Sequence, residues 1–256
     1  MAFTDPIFLF VFLPLAVAAF HAARAFVGGR QALAVAVLAS LFFYGWWNPP
    51  YLFLLGGMIA FNYWMAIRLA QNPSGRRSAA AVSVNLLVLG YFKYRNFFLE
   101  NAGAVLGHDW SLGAIFVPLG ISFYTFEQIA LLVDIGDGRA KRPKFLDFVL
   151  YVTLFPHLIA GPIVLFRELD HQFEKLRVGG FVGLRLFGPG LVVFTLGLFK
   201  KVVIADNLAP YVIVGFGHYH ALTMAEAWAA AVGFGLQLYF DFSGYSDMAV
   251  GLALML

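Results

Sequence analysis

Long apolar runs separated by short, charge-bearing loops recur along the whole chain, and no other feature limits its folding so strongly. A run of at least about 18 mostly apolar residues is what a helix needs to cross a bilayer core. Ile7 to Val27, Ala32 to Trp47, Tyr51 to Ala70 and Ala79 to Phe98 approach or exceed that length, and Leu112 to Ile135 adds a fifth stretch. Further along lie Phe145 to Phe166, Leu186 to Ile204, a shorter piece from Leu208 to Gly217, Ala225 to Phe240 and Met248 to Leu256. Charged residues make up only 12% of the 256, against about 25% in soluble domains, so the solvent is lipid. The expected fold is all-α: a polytopic transmembrane helical bundle with re-entrant or broken helices, residues 1–256 forming one domain without internal repeat or linker. Asp5 precedes the first apolar run where a cleaved signal peptide would be basic, so that run is expected to stay as a span.

Loop charges set the orientation. Arg24 and Arg30 follow the first span, uncharged Asn48, Pro49 and Pro50 the second, Arg68, Arg76 and Arg77 the third, and Glu100 and Asp109 the fourth. Basic and non-basic loops alternate, which puts the N-terminus on the extracytoplasmic side. Arg139, Lys141, Arg142 and Lys144 mark the next cytoplasmic loop. The stretch from Phe145 to Phe166 breaks the alternation, because Arg167, Lys175, Arg177 and Arg185 follow it. Pro156, Gly161 and Pro162 offer an explanation: proline breaks a helix, so the segment is expected to dip in and return. Non-helical backbone at membrane depth is tolerated only inside protein or beside a wet cavity. An ordinary kinked span is the alternative. No polar cap, glycine stop or basic flank follows Leu256, so the protein is expected to continue past it.

Ionisable side chains inside apolar runs are costly, roughly 2.5–3.5 kcal/mol each at the bilayer centre, and should face protein. They are few: Glu127 and Asp134, Lys200, Lys201 and Asp206, and Asp241 and Asp247. The segment QLYFDFSGYSDM is the most polar of the nominal spans. Gln237 and Asp241 share a helix face, as do Ser243 and Asp247, and Gly244 between them is expected to break the helix and let the pairs converge. With Tyr239, these residues either wall a substrate tunnel or form a hydrogen-bonded packing patch. Lys200 and Lys201 either hold an anionic donor's phosphates or snorkel to the interface. His157, in FPHLIAGPI, is either a base or a structural histidine, and His218 and His220 point to opposite sides of a helix. The chain has no Cys, which removes disulfides and thiolate chemistry, and no P-loop, dinucleotide fingerprint, HExxH or GxSxG. Basic residues fall in short loop clusters that suit topology, so no nucleic-acid partner is expected, and no metal site is apparent.

Four ordered blocks resemble the membrane-bound O-acyltransferases, most closely the bacterial branch that acetylates alginate: PLGISFYTFEQIALLVDIGDG, FPHLIAGPI, GLFKKVVIADNLA and QLYFDFSGYSDMAVGLALML. LFFYGWWNPPYLFLL and LGYFKYRNFF also fit, so the resemblance covers essentially the whole chain. It departs at His157, where that branch commonly has Gln. The resemblance implies a multi-pass bacterial inner-membrane protein with a central tunnel in which an acyl donor meets an acceptor hydroxyl. The donor it implies is acetyl-CoA or an acetyl carrier, with no cofactor bound. It implies membrane lipid, a polysaccharide acceptor or a periplasmic acetyltransferase, and a cytoplasmic acyl-donor protein as partners. The catalytic histidine it implies lies beyond Leu256, so no residue of this chain is expected to be the base and the chain alone is expected to be inert.

Acetyl transfer to an extracytoplasmic polysaccharide is therefore the leading expectation. D-alanyl transfer to teichoic acid differs in donor and acceptor, not in fold. A transporter would also place carboxylates in broken helices, but with an internal repeat that is not visible here. A noncatalytic membrane scaffold is the remaining alternative.

Overall fold

The computed structural model describes residues 1–107, 116–159, 161, 164–178 and 184–256. Every regular element among them is helical, which agrees with the expected all-α class. A widened π turn at Phe8–Phe12 runs into α1 (Leu13–Phe26). Then come α2 (Gly29–Trp47), α3 (Tyr51–Gln71), α4 (Gly75–Leu106), α5 (Ile121–Gly136), α6 (Phe145–Thr153), α7 (Phe155–Leu158) and α8 (Phe166–Val178). After them, α9 (Phe187–Phe199) passes through a second π turn, Lys200–Ala205, into α10 (Asp206–Gly217), and α11 (Met224–Met255) closes the order. Phe8–Phe26, Tyr51–Gln71 and Phe187–Gly217 are each long and apolar enough to cross a bilayer. The helices form two compact units, one holding α2 to α8 and the other α1 with α9 to α11.

In the α2–α8 unit, amide side chains join three helices. Asn62 of α3 and Asn85 of α4 exchange hydrogen bonds, 2.9 Å from Asn62 Nδ2 to Asn85 Oδ1 and 2.6 Å in return. Asn62 Nδ2 also lies 2.9 Å from Gln128 Oε1 of α5. All three side chains are buried; Asn85 and Gln128 also donate to the Ala81 and Tyr124 carbonyls one turn back, and Met58 O, 2.9 Å from Asn62 Nδ2, is a third acceptor sharing its two hydrogens. Amide bonds between helices in a membrane are worth roughly 0.6–2 kcal/mol each, and they also fix register, since a slip would bury unpaired amides.

The Phe145 to Phe166 stretch is broken, as its prolines suggest. The helix stops at Leu154 (φ −54°, ψ 111°) and restarts as α7 with Pro156 in its first turn, where a missing N–H costs nothing. The interruption frees the Phe155 N–H, which donates to Ser40 Oγ of α2 at 3.1 Å, while Ser40 donates in turn to Ala36 O. The next stretch upstream is shorter than expected. Helix α5 begins only at Ile121, because Gly120 holds a left-handed φ of 70° and a Cβ there would sit 2.4 Å from Leu158 O; residues 112–115 lie outside the described residues.

In the other unit, α9 and α11 meet along glycines. A Cβ on Gly197 would stand 2.5 Å from Gly244 O, and one on Gly244 would stand 2.7 Å from Gly197 O. One helical register further, Gly190 and Gly251 repeat the arrangement, each within 2.8 Å of the other's carbonyl oxygen. Small residues give lipid-embedded helices the contact that a hydrophobic effect cannot supply there. Gly244 therefore does not break the helix, as its position suggested; α11 runs unbroken for 32 residues, and glycine is needed for close approach. The stretches Ala225 to Phe240 and Met248 to Leu256 are parts of this one helix.

The stretches Leu186 to Ile204 and Leu208 to Gly217 likewise join, despite Pro210 inside α10. The π turn just upstream provides the extra backbone slack. Asn207 Nδ2 donates to the Val202 and Val203 carbonyls, at 3.2 and 2.9 Å, where the widened turn leaves them. At its other end α11 starts with a capping box: Thr223 N–H and hydroxyl donate to Glu226 Oε2, both at 2.8 Å, and Glu226 N–H donates back to Thr223 Oγ1. These bonds hold the exposed Glu226 carboxyl below the ordinary glutamate range.

Two outcomes follow for stability in detergent. Gly197→Ala, whose methyl meets backbone, is expected to lower unfolding stability by roughly 1–3 kcal/mol. Gly235→Ala on α11, with open space around its Cβ position, leaves stability unchanged or slightly raised in the same thermal unfolding assay. For Glu226, a lowered folded-state pKa means that the cap's contribution is full above the ordinary glutamate value and is lost as pH falls through the lowered one. Amide exchange in the first turn of α11, corrected for intrinsic rates, should speed up over that acidic interval in the wild type and not in Thr223→Ala.

Candidate functional site

The second π turn decides where the cations of the apolar run point. Lys200 and Lys201 are its first two residues, and both ammonium groups reach across to α11. Lys200 Nζ donates to Asp247 Oδ2 at 2.5 Å and to Ser243 Oγ at 3.0 Å. Lys201 Nζ lies 2.8 Å from Asp241 Oδ1 and 2.8 Å from Asp206 Oδ1 at the start of α10. The four-residue spacing of Ser243 and Asp247 is what lets one ammonium group take both. The contacts of α9 with α11 through Gly197 and Gly244 bring the lysines into range, because Lys200 and Lys201 themselves lie beside Gly244.

Lys200, Lys201, Asp241, Ser243 and Asp247 are thus brought together in one ionic ladder, with Asp206 as a sixth member. The charge either lysine would offer a phosphate is matched by carboxylates. Asp206 had been visible only as an ionisable residue in an apolar run; its part in the ladder depends on the π turn, which the sequence does not announce. Gln237 and Tyr239 stand apart from it. Gln237 is half-buried one turn before Asp241, and Tyr239 is 63% exposed. Tyr239 and Ser243 line a largely apolar groove of about 490 Å³ along α11 with Leu238 and Phe242, so Ser243 belongs to both ladder and groove.

The ladder is only partly covered. The Asp241 side chain is 47% exposed and that of Asp206 48%, on helices that also expose Leu238, Phe242, Tyr211 and Ile213. Such charges cannot face hydrocarbon, where each is expensive. They require protein or water against them. Chemically the ladder offers ammonium donors, carboxylate acceptors and one hydroxyl in a row, a set suited to holding polar substrate groups within an apolar wall.

A second ionisable pair lies in the α2–α8 unit. His157 Nδ1 of α7 is 3.3 Å from Glu127 Oε1 of α5, close enough for an ion pair but not aligned as a hydrogen bond. Both side chains are buried, and Glu127 Oε2 and His157 Nε2 have no hydrogen-bond partner among the described residues. Tyr151 Oη donates to the backbone carbonyls of Glu127 and Val164, at 3.3 and 3.0 Å, and so fixes the segment around the pair. Each residue was conspicuous in the sequence as an ionisable group among apolar ones; their meeting across 30 positions was not.

The family model for membrane-bound O-acyltransferases matches residues 126–256, just over half of the chain, a span that includes Glu127, His157 and the ladder. The chain is 40% identical over its whole length to a probable alginate O-acetylase of Azotobacter vinelandii, covering 52% of that protein. It is 37% identical over 99% of its length to a peptidoglycan O-acetyltransferase of Helicobacter pylori, covering 54% of it. A teichoic acid D-alanyltransferase of Lacticaseibacillus rhamnosus is 25% identical over 72% of the chain. The chain spans about half the length of the curated relatives it matches. With three apolar helices of spanning length among the described residues, one of them carrying the ladder's π turn, and a family match across it, this is a multi-pass membrane protein that belongs to the membrane-bound O-acyltransferase family.

Proposed function

We propose that this chain forms part of an enzyme of the bacterial inner membrane that transfers an acetyl group to hydroxyls of an extracytoplasmic polysaccharide of the alginate or cellulose type, with the N-terminus extracytoplasmic. The observation that carries this reading is the half-exposed ladder of Lys200, Lys201, Asp206, Asp241, Ser243 and Asp247 on otherwise apolar helices. The names of the most similar relatives, which act on alginate and peptidoglycan, support it.

In the proposed reaction the acceptor oxygen attacks the acyl carbonyl carbon and the bond to the donor breaks. The hydroxyl proton passes to a general base, and the departing donor takes a proton. The donor is acetyl-CoA or an acetyl carrier, delivered by a cytoplasmic protein, and a periplasmic acetyltransferase is the alternative receiver. The ladder would hold the acceptor: carboxylates of Asp241 and Asp247 accept from sugar hydroxyls, the lysines donate to ring or glycosidic oxygens, and Ser243 does either. The base is proposed to come from the part of the relatives that this chain does not cover. Transfer of D-alanine to teichoic acid is a second reading, favoured by more distant relatives that are teichoic acid D-alanyltransferases.

Acetate released from the purified polymer by alkali checks the reading. A deletion strain complemented with the full gene should regain normal acetate, and Lys201→Met or Asp241→Asn should lower it about tenfold or more at equal protein level in the membrane. The paired change Lys201→Met with Asp241→Leu separates passage from packing. If the ladder only glues helices, the apolar pair restores acetate, as buried ion pairs often can be replaced; if it holds substrate, acetate stays low. Normal O-acetyl content in the deletion strain would overturn the proposal, and release of alanine from the cell wall in its place would move it to the second reading.

A further inference from the structure

The cations at Lys200 and Lys201 are matched by carboxylates, whereas a basic cluster elsewhere is not. One cleft stands out in the α2–α8 unit: about 630 Å³, lined by Arg30 and Gln31 of α2, Lys144 and Phe145 at the start of α6, and Asp147 and Arg177. The Asp147 carboxylate, nearly buried, pairs with Arg177 of α8 and so ties α8 to α6. Arg30 and Lys144 are exposed and have no carboxylate partner among the described residues. Three cations against one carboxylate leave the cleft with a net charge of +2, the sign and size that a phosphate matches.

Its position fits the headgroup level of a membrane. Arg30 and Lys144 come from two of the loops that the charge pattern assigns to the cytoplasmic side, so the cleft brings together groups from one face of the bilayer. Helix α8 beside it is amphipathic, with Phe166 and Phe173 buried and the sequence between them mostly charged or polar, the pattern of a helix lying in the interface plane. Phe145, 55% exposed, puts an aromatic ring directly beside the cations. The N-terminus of α6 adds backbone donors and its dipole to the same cleft.

We propose that this cleft binds a phosphate group, presented at the cytoplasmic interface by an anionic phospholipid or by a soluble phosphate ester. Arg30 and Lys144 hold its oxygens, and Arg177, oriented by Asp147, is the third donor. The site is separate from the ladder and does not depend on the acyl-transfer reading.

The test uses the purified full chain in detergent. Thermal unfolding is followed with added phosphatidylglycerol against phosphatidylcholine of the same acyl chains, and with inorganic pyrophosphate against sodium chloride at matched ionic strength. Phosphatidylglycerol is expected to raise the unfolding temperature in the wild type. The double variant Arg30→Gln with Lys144→Gln should need about tenfold or more ligand for the same rise, whereas Arg30→Lys with Lys144→Arg and the control Lys93→Gln should keep it. A rise with pyrophosphate as well assigns the site to phosphate in general; a rise with the lipid alone assigns it to a lipid headgroup. Counting bound phosphatidylglycerol on the folded double variant by native mass spectrometry settles the matter if that variant is itself less stable. No rise with either ligand, or equal binding to the wild type and the double variant, overturns the proposal.

Discussion

Polar groups that lipid cannot solvate must find partners inside the protein, and most of this structure follows from how they do. The Asn62, Asn85 and Gln128 amides satisfy one another across three helices. Ser40 takes the Phe155 N–H where α6 gives way to α7. Asn207 donates to the Val202 and Val203 carbonyls of the π turn. In each case an irregularity of the backbone, or a polar side chain that would be costly alone, is matched by a partner from the same unit. Hydrophobic association does little between helices already in hydrocarbon, so these matches, with close packing, select one arrangement among many.

Close packing supplies the other half. The α9 and α11 backbones touch through Gly190, Gly197, Gly244 and Gly251, and this contact brings the ionic ladder into existence. A lysine side chain is long, yet Lys200 reaches both Ser243 and Asp247 only because the two helix axes are close at Gly244. The π turn then adds the rotation that lets the adjacent Lys201 reach Asp241 and Asp206. Ladder and glycine seam are therefore one device: small residues give proximity, and the charges placed beside them are held without full burial. A partly covered charge ladder differs from the amide cluster in this respect. The buried amides are matched chiefly to one another and to backbone and read as structure, whereas partly exposed carboxylates keep lone pairs available to a third group.

The Glu127–His157 pair is of an intermediate kind. Both side chains are buried and each retains an atom without a partner among the described residues. Gly120, left-handed and pressed against Leu158 O, and Tyr151, bonded to two carbonyls, hold the α5 and α7 segments that carry it.

Much of the fold was legible in the chain. Spacing of apolar runs announced helices of spanning length, and the block from Phe145 to Phe166 announced a break through Pro156. These are local properties, set by hydropathy and by what proline removes, and they need no knowledge of neighbours. The polar block around Asp241 and Asp247 was likewise visible as too costly for lipid. Its partners were not. Gly244 looked like a helix breaker and proved to be a contact point, Gln237 and Tyr239 share the polar block with Asp241 and Asp247 but make no part of the ladder, and Asp206 joined it unannounced. Whether a glycine bends a helix or admits a neighbour depends on what lies across from it. In the same way, a lysine's partner depends on the separation and rotation of two helices, quantities fixed by packing over dozens of residues and absent from any single stretch of sequence.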